Sequence, residues 1–293
     1  MEKIEFASQG TTCRGIFLMA PTAGTERRPC IVMAHGFSLR VADGIMPFAV
    51  EFQRAGNHCL LFDYRGFGAS DGDSPLDVSP HRQLADYRAA IAYARQRPEV
   101  DPLRIIVWGT SFAGGHAFTL AATEPGLYAA IAQCPMLDGW DATINYFKYA
   151  GIRRLLGLVA LGIRDAISGV FGTRPAFVVA AGAPGALAFM ATPDSPSLVA
   201  IAAGDWPNQA RARIALHAWA YRPISKAKSI KCATLAIICE DDRLAPAATA
   251  WKAVKRAAGS VVGVGLKLGH FDVYHGEGRA QSIAAQLEFL EKL

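Results

Sequence analysis

Residues 105–116 read IIVWGTSFAGGH, from Ile105 to His116. A four-residue apolar run, Ile105 to Trp108, stops at Gly109. Ser111 follows after one polar residue, and Phe112, Ala113, Gly114 and Gly115 then lead into an Ala-rich stretch. This order predicts a strand, a sharp turn and a helix. Such a turn strains the backbone of its central residue, tolerates only small neighbours and leaves the serine Oγ standing above the strand end. The usual spacing is G-x-S-x-G, and here the last glycine is Ala113. A methyl is the mildest replacement, and two glycines follow at once.

The flanking sequence repeats the same grammar. Ile4, Phe6 and then Cys13 to Met19 alternate as an antiparallel pair would, joined at Gln9 and Gly10. Cys30 to Ala34 is continuously apolar, as in a strand buried on both faces, and it ends at His35, Gly36 and Phe37. Cys59 to Phe62 ends at the glycine-rich loop DYRGFGASDG, residues 63–72. Apolar positions Leu84, Tyr87, Ala90, Ile91 and Ala94 recur at helical spacing within His81 to Arg97, and Pro98 follows. A helix from Phe112 to about Thr123 and a strand from Tyr128 to Cys134 continue the alternation. It predicts a mostly parallel α/β sheet covered by helices on both faces.

Between Met136 and Ser229 the pattern changes. No buried strand is evident there; helices are expected around Ile144 to Tyr149, Ile152 to Phe171, Pro175 to Met190 and Asn208 to Tyr221. Sheet grammar resumes at Ala233 to Cys239, with a helix from Pro246 to Ala257, a strand from Val261 to Leu268 and a closing helix from Glu277 to Leu293. The expected organisation is one core, residues 1–135 and 230–293, split by a helical cap, residues 136–229.

Composition narrows the function classes. With 293 residues, 52% apolar and 19% charged, the chain can bury a large core. Its net charge of +5 comes from scattered Lys and Arg without aromatic interleaving, so no nucleic-acid partner is expected. The six cysteines form no C-x-x-C pair and lie mostly in apolar runs, which suits free thiols in a reducing compartment. The first 17 residues lack a basic segment followed by an apolar one. A cytoplasmic location is therefore expected, with no membrane span, no metal and no cofactor. Homo-oligomerisation is left open.

A serine hydroxyl attacks only when a base takes its proton and a carboxylate orients that base. Downstream of Ser111, the run LAIICEDDRLAP ends a strand with Glu240, Asp241 and Asp242; Asp242 is preferred, because there the turn has cleared the strand. LKLGHFDVYHGE ends the next strand and supplies His270, with His275 as its rival. Charge developing on an attacked carbonyl needs backbone N–H donors, expected at Phe112 and at Phe37 after the third strand. His35 is expected to brace that loop without reacting. The 63–72 loop lacks the Lys-Ser or Lys-Thr of a phosphate cradle and is read as structural.

The set HGF, DYRGFGASDG, GTSFAGG, CEDDRLAP and GHFDVYHGE resembles the α/β-hydrolase superfamily over essentially the whole chain except the cap. The stretch from Asp63 through Asp138 is also similar to fungal polyketide transferases and hydrolases and to the dienelactone-hydrolase branch. The resemblance implies an α/β-hydrolase fold with Ser111 as nucleophile, Asp242 as acid and His270 as base. A serine at the elbow, where relatives of other chemistry carry aspartate or cysteine, implies acyl transfer to water or to a hydroxyl acceptor. The cap side chains Trp140, Tyr146, Phe147, Leu155, Leu156, Phe171, Phe177, Phe189, Trp206 and Trp219 are candidates to line an apolar pocket. The expected partner is a small-molecule substrate, a medium-sized apolar ester or thioester, and the less favoured reading is a small-molecule binder without turnover.

Overall fold

The computed structural model describes residues 1–21 and 26–293. In chain order the first half comprises β1 (Glu2–Ser8), β2 (Thr11–Leu18), β3 (Arg28–Ala34), α1 (Met46–Arg54), β4 (His58–Phe62), α2 (Pro80–Gln96), β5 (Val100–Thr110), α3 (Phe112–Thr123) and β6 (Ala129–Gln133). There follow α4 (Gly139–Phe171), β7 (Phe177–Ala181), β8 (Ala188–Met190), β9 (Gln209–Arg211), β10 (Ala233–Cys239), α5 (Ala247–Arg256), β11 (Val261–Leu266) and α6 (Gly276–Glu291).

Among the described residues, eight strands form one sheet in the order β1-β2-β4-β3-β5-β6-β10-β11. The β1–β2 and β2–β4 pairs are antiparallel and the others parallel. Gln9 and Gly10 turn the first hairpin at φ 48° and 82°, the positive values that a two-residue loop requires. The apolar runs of β3 and β4 are buried throughout, because helices cover both sides of a parallel sheet. Of those helices α1 packs against α6, and α2 against α3. Ser79 caps α2, Pro80 occupies its first turn, and it stops just before Pro98.

The glycine-rich loop is structural. The Asp63 carboxylate accepts from the N–H groups of Val41 at 2.7 Å and Ala69 at 3.0 Å, and a Cβ on Gly68 would lie 2.1 Å from it. Arg65 reaches back to buried Asp86 at 2.5 Å.

The segment between β6 and β10 corrects two expectations. The helices read at 144–149 and 152–171 exist as one element, α4, interrupted where Gly151 takes φ 77°, ψ 169°. The helix expected over Pro175 to Met190 is instead two strands, β7 and β8, and the one expected over Asn208 to Tyr221 is β9 followed by 3-10 turns. The three strands form a second sheet, β8-β7-β9, where no strand had been evident. Ala-rich composition favours helix, but Gly182, Pro184 and Gly185 interrupt the run at its middle, and Val178 and Val179 pack better on a pleat.

What fixes this small sheet is charge. Asp165 of α4 is fully buried and accepts from Arg211 at 2.8 Å, Arg213 at 2.9 Å and the Ala176 N–H at 3.0 Å. Burial works against its ionisation, yet the two arginines hold its pKa below the ordinary value. Asp165→Ala leaves both guanidinium groups without their partner and is expected to cost about 3–5 kcal/mol, read as a lower urea midpoint.

Candidate active site

Ser111 sits between β5 and α3 with φ 57° and ψ −116°. A non-glycine residue pays on the order of 1–3 kcal/mol for such a conformation. The cost is met by bonds on both sides: its N–H donates to the Gln133 carbonyl at 2.8 Å, and its own carbonyl accepts from Met136 at 2.9 Å and Gly115 at 3.2 Å. Close packing leaves no room for larger neighbours. A Cβ on Gly109 would stand 2.0 Å from the Ala113 oxygen, and one on Gly115 would stand 2.4 Å from the Met136 oxygen. The Ala113 methyl is accommodated, fully buried.

Three sequence-predicted residues meet here. His270, after β11, has Nε2 2.9 Å from Ser111 Oγ and Nδ1 2.5 Å from Asp242 Oδ2. The other Asp242 oxygen accepts from the N–H groups of Leu244 at 2.8 Å and Ala245 at 2.7 Å, so the turn after β10 orients the carboxylate toward the ring. Burial alone would lower the His270 pKa, but the Asp242 charge, nearby Cys134, the hydrogen bond to Asp242 and the more distant Asp194 outweigh it and raise it to about 9. The competitors lie elsewhere. Glu240 accepts from Trp251, Asp241 is exposed, and His275 is exposed at the start of α6. His116 is hydrogen-bonded to Tyr221 and Gln83 in the core.

The loop after β3 presses against the serine. A Cβ on Gly36 would stand 3.1 Å from that of Ser111, a tight contact that would push the serine or the loop by a few tenths of an ångström. Among the described residues, neither the Phe37 nor the Phe112 backbone N–H has a hydrogen-bond partner, and both residues line the same cavity as Ser111. Beneath the loop, His35 is buried and held below its ordinary pKa by desolvation, with Nδ1 3.1 Å from the Gly36 carbonyl.

Above Ser111 and His270 lies a cavity of ≈ 360 Å³. Leu155, Leu158 and Val159 of α4 and Phe189 of β8 form its walls, and half-exposed Trp140 and Trp219 stand at its rim. Tyr146 also lines it. The remaining candidates do not: Phe147, Leu156 and Phe171 are exposed, Phe177 lies under Arg211, and Trp206 Nε1 donates to the Ser38 carbonyl at 2.7 Å. The lining includes no Asp, Glu, Lys or Arg side chain among the described residues.

Asp194 escaped the sequence reading. Its Oδ2 accepts from the N–H of Arg243 at 2.9 Å and, more weakly, of His270 at 3.5 Å, tying the inserted segment to both loops that flank the serine. Lying in TPDSP, it has the look of a turn acid. Its partners are 49 and 76 residues away, so no local signal exists.

The family model described as "Alpha/beta hydrolase family" matches residues 31–284. The quorum-quenching protein AidA of Acinetobacter baumannii is 33% identical over 293 residues, covering 99% of this chain and 94% of that protein. The polyketide transferase af380 of Aspergillus fumigatus is 28% identical over 316 residues, covering 99% and 98%. The crystal structure of the alpha/beta hydrolase GrgF from Penicillium superposes with a TM-score of 0.82 at 24% identity, covering 99% and 98%, a likeness of fold.

His270 is expected to titrate near pH 9 by NMR, and to fall in Asp242→Asn, where the largest influence opposing burial is gone. A histidine whose pKa rises on folding stabilises the fold. That contribution is complete below pH 6.5 and disappears as pH rises through about 9, which thermal melts of the wild type and Asp242→Asn against pH would display.

Proposed function

The chain belongs to the alpha/beta hydrolase family as an ester-acting enzyme, and from that premise we propose that it is a serine hydrolase cleaving an apolar carboxylic ester or thioester through an acyl-enzyme on Ser111. The observation that carries this reading is the hydrogen-bonded chain Ser111–His270–Asp242 opening onto a largely apolar cavity that no Asp, Glu, Lys or Arg lines among the described residues. Such a cavity favours an acyl group without charge, since an ionised group would be desolvated there without a partner.

In this mechanism Ser111 Oγ attacks the substrate carbonyl while its proton passes to His270 Nε2. Asp242 keeps the Nδ1–H tautomer and stabilises the imidazolium that forms. The developing oxyanion is received by the N–H groups of Phe37 and Phe112. As the tetrahedral intermediate collapses, the C–O or C–S bond breaks and His270 returns the proton to the departing alkoxide or thiolate. Water, activated by the same imidazole, then releases the acid. Residues 136–229 act as a cap whose walls select the acyl group.

A second reading, transfer of the acyl group to a hydroxyl acceptor, draws support from the relative named a polyketide transferase over almost the whole chain. Both readings use the same acyl-enzyme. They part at the second step, so burst kinetics with and without added alcohols separate them.

Ser111→Ala should lower turnover of p-nitrophenyl esters by about 10⁶ and Asp242→Asn by about 10⁴. A fluorophosphonate should label the wild type and leave Ser111→Ala unlabelled. Since only neutral His270 accepts the proton, kcat/KM should rise with pH up to about 9, and loss of this acid limb without loss of activity would sink the base assignment. Val159→Phe, which fills part of the cavity, should move the optimum toward shorter acyl chains and lower kcat/KM for the longest ester by about tenfold or more.

A further inference from the structure

The outer face of α4 is built in the reverse of the usual sense. After Gly151 its inward positions are Leu158, Gly162, Asp165 and Ser168. At 3.6 residues per turn the opposite side carries Ile152, Leu156, Ala160, Ile163, Ile167 and Val170, an apolar stripe directed away from the protein. Ile152, Leu156, Ile163, Ile167, Val170 and neighbouring Phe171 are each between 48% and 80% exposed. A contiguous stripe of this kind marks a surface that meets something apolar.

Its borders say what. Lys148, Arg153, Arg164 and Arg174 are all exposed along this helix and its exit, and none is in an ion pair among the described residues. The two carboxylates of α4 are both engaged elsewhere: Asp165 by Arg211 and Arg213, and Asp141 by the Thr249 hydroxyl at 2.8 Å. An open groove of ≈ 470 Å³ on this face brings Ala160, Ile163 and Ile167 together with Arg164, Arg174 and Thr173. Apolar floor and cationic edges fit one object closely, a layer of anionic headgroups above acyl chains. A second copy fits less well. An antiparallel two-fold pairing would set one arginine edge against the other, and α4 offers no free carboxylate to a parallel one.

We propose that α4 docks the protein peripherally on anionic bilayers, its stripe lying in the interface and its arginines at the phosphate level. No helix among the described residues is long and apolar enough to cross a membrane, so the contact is superficial. Leu155 and Val159 of the same helix wall the cavity over Ser111, so the docking face and the cavity wall are two sides of one helix.

Vesicle sedimentation of the full chain tests this, using phosphatidylcholine with and without an equal share of phosphatidylglycerol. Wild type should pellet with the anionic vesicles only, and less as salt rises. Arg164→Glu with Arg174→Glu should weaken binding by about tenfold or more, and Ile163→Ser with Ile167→Ser should also reduce it. Both double variants should hydrolyse a soluble p-nitrophenyl ester like the wild type, which establishes that they are folded. If a variant fails to express, Arg164→Gln with Arg174→Gln supplies the charge arm. Wild type that stays in the supernatant with anionic vesicles, or variants that pellet as it does, would overturn the proposal. So would a dimer in analytical ultracentrifugation that Ile163→Ser with Ile167→Ser dissolves, since the face would then belong to a second copy.

Discussion

The backbone of Ser111, held at φ 57° and ψ −116°, is a conformation that a serine abandons unless its surroundings prevent it. The restraint comes from Gln133, at the end of β6. Its carbonyl takes the Ser111 N–H, while its side chain enters a buried network: Oε1 accepts from Ser282 at 2.7 Å and Gln286 at 2.9 Å, and Nε2 donates to Thr110 at 3.1 Å. Gln286 in turn accepts from Trp108 Nε1 at 2.6 Å. The elbow is thereby fastened to α6, far away in sequence. Fully satisfied buried networks of this type fix geometry more than they add stability.

The inserted segment is fastened to the same region from above. Phe189 stacks on Phe37 with ring centroids 4.3 Å apart, Ser38 Oγ donates to the Gln209 carbonyl at 2.7 Å, and Asp43 accepts from the Ala203 N–H at 2.7 Å. With Asp194 on the opposite side, the loops bearing Gly36, Asp242 and His270 each touch a part of the chain that does not belong to the sheet. The walls over Ser111 and the groups beside it are therefore set by one body of contacts.

Much of this was legible in the residues. Ser111, Asp242 and His270 stand at the ends of apolar runs, and a parallel sheet gathers such ends at one edge, so chain order and strand punctuation locate them without knowledge of contacts. Gly109 and Gly36 were legible for a related reason, since close backbone approach favours them. What escaped depends on long-range partners. The short strands β7, β8 and β9 lie in Ala-rich sequence with little periodicity and are held by Asp165 and its arginines. Gln133 and Gln286 look like surface residues until the network is seen. Five of the ten cap side chains named for the pocket line it, because an apolar or aromatic side chain in this segment reports neither which cavity it borders nor, for Phe147, Leu156 and Phe171, that it is buried at all.

The excursion from β6 to β10 begins and ends on strands that are hydrogen-bonded neighbours, with Gln133 opposite Ile237 in the parallel register. In that register β10 begins at Ala233, opposite Ala129, so the two ends of the excursion are held about four residues of strand rise apart, ~13 Å, whatever lies between them. Loop-closure entropy grows only with the logarithm of length, so doubling such an excursion costs about 0.6 kcal/mol. The sheet is therefore nearly indifferent to the size and content of what it carries there. Parts of the roof outside its contacts with the loops of Gly36, Asp242 and His270 can thus be substituted, trimmed or extended at small cost to the strained serine beneath, which gives the scaffold a cheap route to new selectivity on unaltered chemistry.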